Sequence, residues 1–214
     1  MRKIFILMMM ALPLLAGAQT TAPMGINVSE KQGTVDWPMV QSDNNLQFAY
    51  IYATQGAATQ DGRFATNIDQ ARKTGLRVGA IHVYDRHQSA QDQFENFEAA
   101  VKGHAMDLVP VVQVIPDEPY NINIKRVDML LQLLEKKHGK KPLICTTLEG
   151  YQKLFCLERY TAYHVMIITA DLKFPASRYT LWQYTSREKI AGIMEYTPAF
   201  KLHLTYTEKD ILLK

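Results

Sequence analysis

Residues 48–54 read FAYIYAT, a near-continuous apolar run rich in aromatic and β-favouring side chains. Runs of this kind favour a strand that is covered on both faces, as in a parallel sheet flanked by helices. Comparable runs recur along the chain. We predict strands over residues 24–29, 48–54, 77–84, 109–115, 142–147, 164–170 and 179–185, with a last one at 202–206.

Amphipathic segments separate these runs. Residues 64–74, 90–102 and 124–138 carry apolar side chains at helical spacing, and a glycine closes each segment. The β-α alternation within one domain indicates an α/β barrel or a doubly wound sheet. Helix signals thin out after about Leu154, which favours a barrel whose last third is mostly strands. The sequence has no G-x-G-x-x-G or Walker-type loop, so it gives little support to nucleotide binding.

The first eighteen residues have the features of an export signal. Arg2 and Lys3 precede an apolar run over residues 4–15, and Ala16-Gly17-Ala18 forms a small-residue cleavage pattern. The run is short for a membrane span, and no cysteine follows for a lipid anchor. We therefore expect a signal peptide at residues 1–18, one domain over residues 19–214, and a secreted or periplasmic protein with no membrane anchor.

The charge balance and the cysteine content limit the kinds of ligand that we expect this protein to bind. Lys and Arg number 24 against 21 Asp and Glu, a near balance that argues against nucleic acid as a partner. The two cysteines, Cys145 and Cys156, are compatible either with one bridge or with two separate thiols. Neither has the neighbours expected of a zinc ligand, and we expect no metal and no cofactor.

Several motifs occur in the order typical of one known family. Residues 25–29 read GINVS, 48–56 read FAYIYATQG, 78–82 read VGAIH and 181–186 read LWQYTS. This ordered set, with 32–33, 35–37, 141–144 and 191–193 between and after, resembles the family 25 glycoside hydrolases, which are lysozyme-type muramidases. The resemblance runs from Gly25 to Ile193. It implies a flattened TIM-like (β/α) barrel and a connection with peptidoglycan.

The chain departs from the family pattern at its acidic positions. The Asp of the family's G-I-D-V-S motif falls on Asn27, and the central D-x-E pair falls on Gln113 and Ile115. The Glu of the A-T-E-G motif falls on Gln55, and the closing Asp falls near residues 203–205, His203-Leu204-Thr205.

These changes remove the chemistry of glycoside cleavage. Hydrolysis normally uses two carboxyl groups, one to protonate the leaving oxygen and one as base, nucleophile or stabiliser. An amide such as Gln113 or Asn27 forms hydrogen bonds but exchanges no proton near neutral pH, and Ile115 does neither. We therefore expect no catalytic residues and no turnover.

The replacements by amides keep a polar side chain but remove the charge, which favours a pseudoenzyme that binds glycans without cleaving them. The alternative is that the site is no longer used and that its residues have changed by drift. Aromatic side chains near strand ends can pack against sugar rings. The binding candidates for peptidoglycan or a related N-acetylated glycan are Asn27, Gln55, His82, Tyr84, Asp85, Gln113, Trp182 and Tyr184.

Two other functions stay open. Asp85, Asp117 and Glu118 follow strand ends and are candidates for substitute acids in an active muramidase. The barrel could instead serve as a protein-interaction or immunity-type scaffold, whose signature would be an exposed apolar patch and a filled groove.

Overall fold

The structure is a computed structural model. It describes residues 24–43, 45–116, 122–171 and 179–214. The expected signal peptide lies outside the described residues. Within these ranges, no helix combines the length and apolar character that a bilayer span requires.

Eight strands close into a barrel. The hydrogen-bonded order is β1-β9-β8-β7-β6-β5-β4-β2, and β1 pairs with β2 to complete the ring. The short β3 extends β2 as a hairpin. All neighbouring pairs in the ring are parallel except those of β9, which is antiparallel to both β8 and β1. The strands are β1 Met24–Val28, β2 Leu46–Gln55, β3 Thr59–Gln60, β4 Arg77–Val83, β5 Val111–Gln113, β6 Leu143–Thr147, β7 Val165–Ile168, β8 Leu181–Glu188 and β9 Thr197–Leu202.

Helices cover the outside of the first part of the barrel. They are α1 Trp37–Asp43, α2 Phe64–Lys73, α3 Ala90–Val101, α4 Ile124–His138 and a one-turn α5 Leu148–Gly150. A π turn follows α5, and beyond it the described helical structure is confined to short 3-10 turns. The last third is therefore mostly strands, and the predicted barrel is confirmed.

Alternate residues of each strand divide between two cores. The barrel interior is filled by side chains such as Phe48, Tyr50, Met166 and Phe200. The opposite faces of the same strands pack under the helices. This division explains the near-continuous apolar runs, since both faces of these strands are buried.

Two glycines make room inside the barrel. A Cβ added at Gly25 would collide with the ring of Phe200, and one added at Gly79 would collide with the ring of Tyr50. Both positions need glycine because an aromatic ring occupies the space that a side chain would take.

The predicted elements match the structure except for the last strand, and the short β3 and α5 were not predicted. The last strand is β9, Thr197–Leu202, and not residues 202–206; our placement was wrong because residues 203–206 already lie in a turn beyond its end. The helix α1 was not predicted. It begins at Trp37 with Pro38 next to it, where the missing N–H of proline costs nothing.

The cysteines form no bridge with each other. Cys145 is buried inside the barrel on β6, and Cys156 is half-buried in the turn after α5. Burial raises the pKa of the Cys145 thiol to about 12. Two separate thiols are therefore present.

Candidate functional site

A cavity of about 390 Å³ opens at the carboxyl ends of the parallel strands, the end that we call the mouth. Enzymes and binding proteins with α/β barrels place their sites at this end. This mouth cavity is lined by Asn27, Ser29, Glu30, Lys31, Gln32, Tyr52, Thr54, Gln55, Thr59, Gln60, Asp61, Val83, Gln113 and Pro198. The three candidates Asn27, Gln55 and Gln113 are thus brought together.

Asn27 lies on β1, and its side chain is 1% exposed. Its Nδ2 donates to Oε1 of Gln183 on β8 at 2.8 Å and lies 4.0 Å from the sulfur of Met166. Its Oδ1 has no hydrogen-bond partner among the described residues. A buried polar atom without a partner costs about 1–3 kcal/mol, and a ligand that donated a hydrogen bond to this oxygen would offset that cost.

Gln113 ends β5, and its Oε1 accepts a hydrogen bond of 2.8 Å from the hydroxyl of Tyr52 on β2. Burial raises the pKa of the Tyr52 hydroxyl, so the phenol stays protonated and donates. Our sequence analysis missed Tyr52 and Gln183. Alternation along β2 places Tyr52 on the same face as Tyr50, and this signal could have found it.

Two carboxylates line the mouth cavity, and both are held by backbone groups. Asp61 accepts from the N–H groups of Glu30 and Arg63, at 2.8 and 2.9 Å. Glu30 Oε2 accepts from the N–H of Gly62 at 3.0 Å. Burial raises the pKa of Asp61, and these hydrogen bonds act in the opposite direction. The pair fastens the loop after β1 to the loop before α2, and sequence reasoning did not single out either residue.

A second cavity of about 240 Å³ lies beside the first, lined by Gln55, Tyr84, Asp85, Arg86, His87, Ile115 and Ile122. Gln55 lines both cavities. Asp85 Oδ1 accepts from the N–H of His87 at 2.8 Å, as in a turn. Ile115 is 40% exposed there, so its position presents hydrocarbon to solvent.

His82 requires a correction, because it lines neither of these cavities. It is fully buried on the outer face of β4, between Thr54 Oγ1 at 2.8 Å and Gln93 Oε1 of α3 at 3.2 Å. Burial lowers the pKa of its imidazole to about 4, so the ring is neutral at physiological pH. Its role is to join the barrel to α3.

Trp182 and Tyr184 also line neither cavity. Both alternate with the inward-facing Leu181 and Gln183 on β8, and their rings touch each other at 5.8 Å between centroids. Trp182 donates from Nε1 to the carbonyl of Thr169 at 2.8 Å, and Tyr184 donates to Glu188 at 3.2 Å. They alternate with the inward-facing residues and so lie outside the mouth cavity; a contact of either ring with a glycan stays a prediction.

The closing acidic position was also misplaced. Residues 203–205 follow the carboxyl end of β9, and because β9 is antiparallel this end lies away from the mouth. The β9 residue that lines the mouth cavity is Pro198, near the start of the strand. Asp117 and Glu118 lie outside the described residues.

A larger concavity, of about 980 Å³, lies at the opposite end of the barrel. Several of its charges are already paired, Arg72 with Asp107 at 3.1 Å and His138 with Glu98 at 2.7 Å. In the described part of the chain, no three His, Cys, Asp or Glu side chains converge to hold a metal ion. The mouth cavity remains the stronger candidate, because it combines the strand ends with an unpartnered buried acceptor.

The family model described as glycosyl hydrolases family 25 matches residues 26–193. The match covers most of the chain, so the chain belongs to glycosyl hydrolases family 25.

Similar proteins are found by sequence and by structure. The YegX protein of Escherichia coli K12 is 33% identical over 184 residues, covering 79% of this chain and 65% of that protein. The chain therefore spans less than two thirds of the length of this curated relative. Lysozyme M1 of Streptomyces globisporus is 42% identical over 65 residues, 30% of this chain and 22% of that protein. A family 25 glycosyl hydrolase from Bacillus anthracis superimposes with a TM-score of 0.75 at 29% identity, covering 88% of this chain and 91% of that one.

Proposed function

We propose that this chain is an exported, non-hydrolytic member of family 25 that binds peptidoglycan or a related N-acetylated glycan in its mouth cavity. The family and the relative named as a lysozyme support the class of ligand. The basic and apolar pattern of residues 1–18 supports export.

The observation that carries the proposal is the amide floor of the cavity. Asn27 and Gln113 place carboxamides, not carboxylates, at the strand ends, and Asn27 Oδ1 is buried without a partner. An N-acetylated sugar offers N–H and O–H donors for such an acceptor and a carbonyl for a donor. The cavity volume of about 390 Å³ is within the range of small-ligand sites.

The same floor argues against hydrolysis. Acid–base assistance contributes about 10²–10⁴ in rate for each group, and neither Asn27 nor Gln113 supplies a proton near neutral pH. Ile115, in the neighbouring cavity, and Pro198, in the mouth cavity, carry no ionisable group. Binding without turnover is the expected behaviour.

One observation favours an active enzyme as the second candidate. Asp61 and Glu30 line the mouth cavity, Asp85 lines the neighbouring one, and burial raises the pKa of Asp61. Against this, both oxygens of Asp61 already accept backbone hydrogen bonds, which stabilise the ionised form. Hydrolysis that disappears in Asp61→Asn or Asp85→Asn would identify the substitute acid and favour this candidate.

Calorimetric titration with the tetramer of N-acetylglucosamine tests the binding function. We expect Asn27→Ala and Gln113→Leu to weaken binding about fivefold each, since one hydrogen bond contributes about 1 kcal/mol. Gln91→Ala, on the exposed face of α3, is the matched control and should leave the affinity unchanged. Equal affinity in the unmodified protein and the three variants would contradict glycan binding in the mouth cavity. No binding to any glycan would favour a protein partner instead.

A further inference from the structure

Two cations converge on one tyrosine ring beside the mouth cavity. Arg187 of β8 lies with its Cζ 4.8 Å from the centroid of the Tyr196 ring, and Lys189 Nζ lies 4.5 Å from the same centroid. Tyr196 is 43% exposed, and both cations are exposed. We call Arg187, Lys189 and Tyr196 the basic rim.

The positive charge of the basic rim is not neutralised within the described part of the chain. No described carboxylate forms an ion pair with Arg187 or Lys189, although Glu188 and Glu195 lie nearby in the sequence. Glu188 instead accepts from the Tyr184 hydroxyl. Each cation is attracted to the ring, and an anion bound close to both cations would be stabilised by each of them.

The basic rim is physically continuous with the cavity. Gln32, which lines the cavity, donates from Nε2 to the carbonyl oxygen of Tyr196 at 3.0 Å. Pro198, two residues after Tyr196, lines the cavity as well, and so does the exposed Lys31. A chain of sugars with one unit in the cavity would therefore pass close to this rim.

We propose that the basic rim binds the carboxylate of an acidic sugar in the same glycan strand whose N-acetylated unit occupies the cavity. This inference rests on the proposed function. A guanidinium forms paired hydrogen bonds with a carboxylate, and an ammonium beside it adds a second positive charge. The cavity floor has amides and no cations. The floor therefore binds the acetamido and hydroxyl groups of the glycan, and the basic rim binds the carboxylate.

The test compares two forms of one ligand. Soluble peptidoglycan glycan strands, with the stem peptides removed enzymatically, carry free lactyl carboxylates; the same strands after amidation carry none. We expect the mature protein to bind the carboxylated strands about five- to tenfold more tightly, with the difference shrinking as salt rises from low to physiological concentration. In the double variant Arg187→Gln, Lys189→Gln the two strands should bind equally.

A matched double variant controls for net charge. Lys73→Gln with Lys136→Gln removes the same charge from the exposed ends of α2 and α4 and should keep the preference. A polymer of glycerol phosphate serves as a third ligand. Competition by this polymer as strong as that of the carboxylated strands would show a general anion site and overturn the assignment to acidic sugars.

The remaining outcomes separate the two proposals. Equal binding of carboxylated and amidated strands by the unmodified protein would overturn the role of the basic rim while leaving the cavity function intact. A preference that survives in the Arg187→Gln, Lys189→Gln variant would also overturn it. Binding of carboxylated strands alone, unaffected by Asn27→Ala, would support the rim and remove the cavity function. Binding of neither strand would overturn both.

Discussion

Asn27 Nδ2 donates a 2.8 Å hydrogen bond to Gln183 Oε1 and so joins β1 to β8 past the intervening β9 at the floor of the mouth cavity. One amide donates to the other here, and neither carries a charge. A carboxylate at residue 27 would face the Gln183 oxygen in a nearly solvent-free position, unless the Gln183 amide turned to donate. The uncharged pair therefore stabilises the floor of the barrel.

This relationship predicts that Asn27→Asp destabilises the protein in a pH-dependent way. Burial raises the folded-state pKa of the introduced carboxyl above its unfolded value of about 3.9, so the folded state binds more protons. The variant should be closest to the unmodified protein near pH 4 and lose about 1–3 kcal/mol of unfolding free energy by pH 7. Urea unfolding at pH 4, 5.5 and 7 measures this. Asn123→Asp, at an exposed helix cap, is the control, and a pH-independent difference in Asn27→Asp would contradict the account.

The buried, neutral imidazole of His82 predicts that the protein loses stability in mild acid. Its folded pKa is lowered to about 4, below an unfolded value of about 6.5, so the unfolded state binds more protons between these two values. The contribution is present above pH 6.5 and is lost as the pH falls towards 4, by up to about 3 kcal/mol. His82→Gln keeps a polar side chain between Thr54 and Gln93 and should flatten the slope of unfolding free energy over this range. His87→Gln, on an exposed side chain, should not; an unchanged slope in His82→Gln would argue against the buried neutral ring.

Gly79→Ala tests the packing inside the barrel. The added methyl would collide with the Tyr50 ring and lie 2.9 Å from Leu108 Cβ, both fully buried. Overpacking of this kind costs about 1–3 kcal/mol, seen as a lower midpoint of thermal unfolding. Gly62→Ala, whose added carbon would meet only the flexible end of Glu30 at 3.3 Å, should change the midpoint much less. A Gly79→Ala protein as stable as the parent would mean that the interior is looser than described.

The burial of the two cysteines predicts how many thiols react with a reagent in the folded protein. Cys156 is half-buried and should react with a thiol reagent in the native protein, while Cys145 is buried with a raised pKa and should react only on unfolding. Mass spectrometry should find one label in native buffer and two in denaturant. A Cys156→Ser variant should take up none while folded, and two unlabelled cysteines in denaturant without reductant would indicate a bridge.

The continuous apolar strands and the periodic helices predicted a barrel or a doubly wound sheet, and the lack of helix signals after about Leu154 together with the family resemblance favoured the barrel. The same feature limited the prediction of the site. In a continuous apolar run such as β4, nothing in the alternation separates the inward Ile81 from the outward His82, so the sequence could not decide between a binding and a structural role for His82. The outward direction of Trp182 and Tyr184 on β8 was likewise not readable from the sequence.

It was harder to predict which residues near the end of the chain reach the mouth, because β9 runs antiparallel to its neighbours. Once a strand runs antiparallel, its first residues reach the mouth, so Pro198 lines the mouth cavity while residues 203–205 lie towards the opposite end. The contacts of Tyr52 with Gln113 and of Asn27 with Gln183 join strands that are far apart in sequence. Such pairs depend on the closure of the ring, which single-strand patterns do not encode.

Incubation of the mature protein with purified peptidoglycan tests the central claim most directly, with the bound protein measured by co-sedimentation and the released sugars by their reducing ends. The account predicts that the protein sediments with the peptidoglycan, that Asn27→Ala reduces this binding, and that no reducing ends appear above those of a buffer blank. Release of reducing ends by the unmodified protein, abolished by Asp61→Asn or Asp85→Asn, would contradict it.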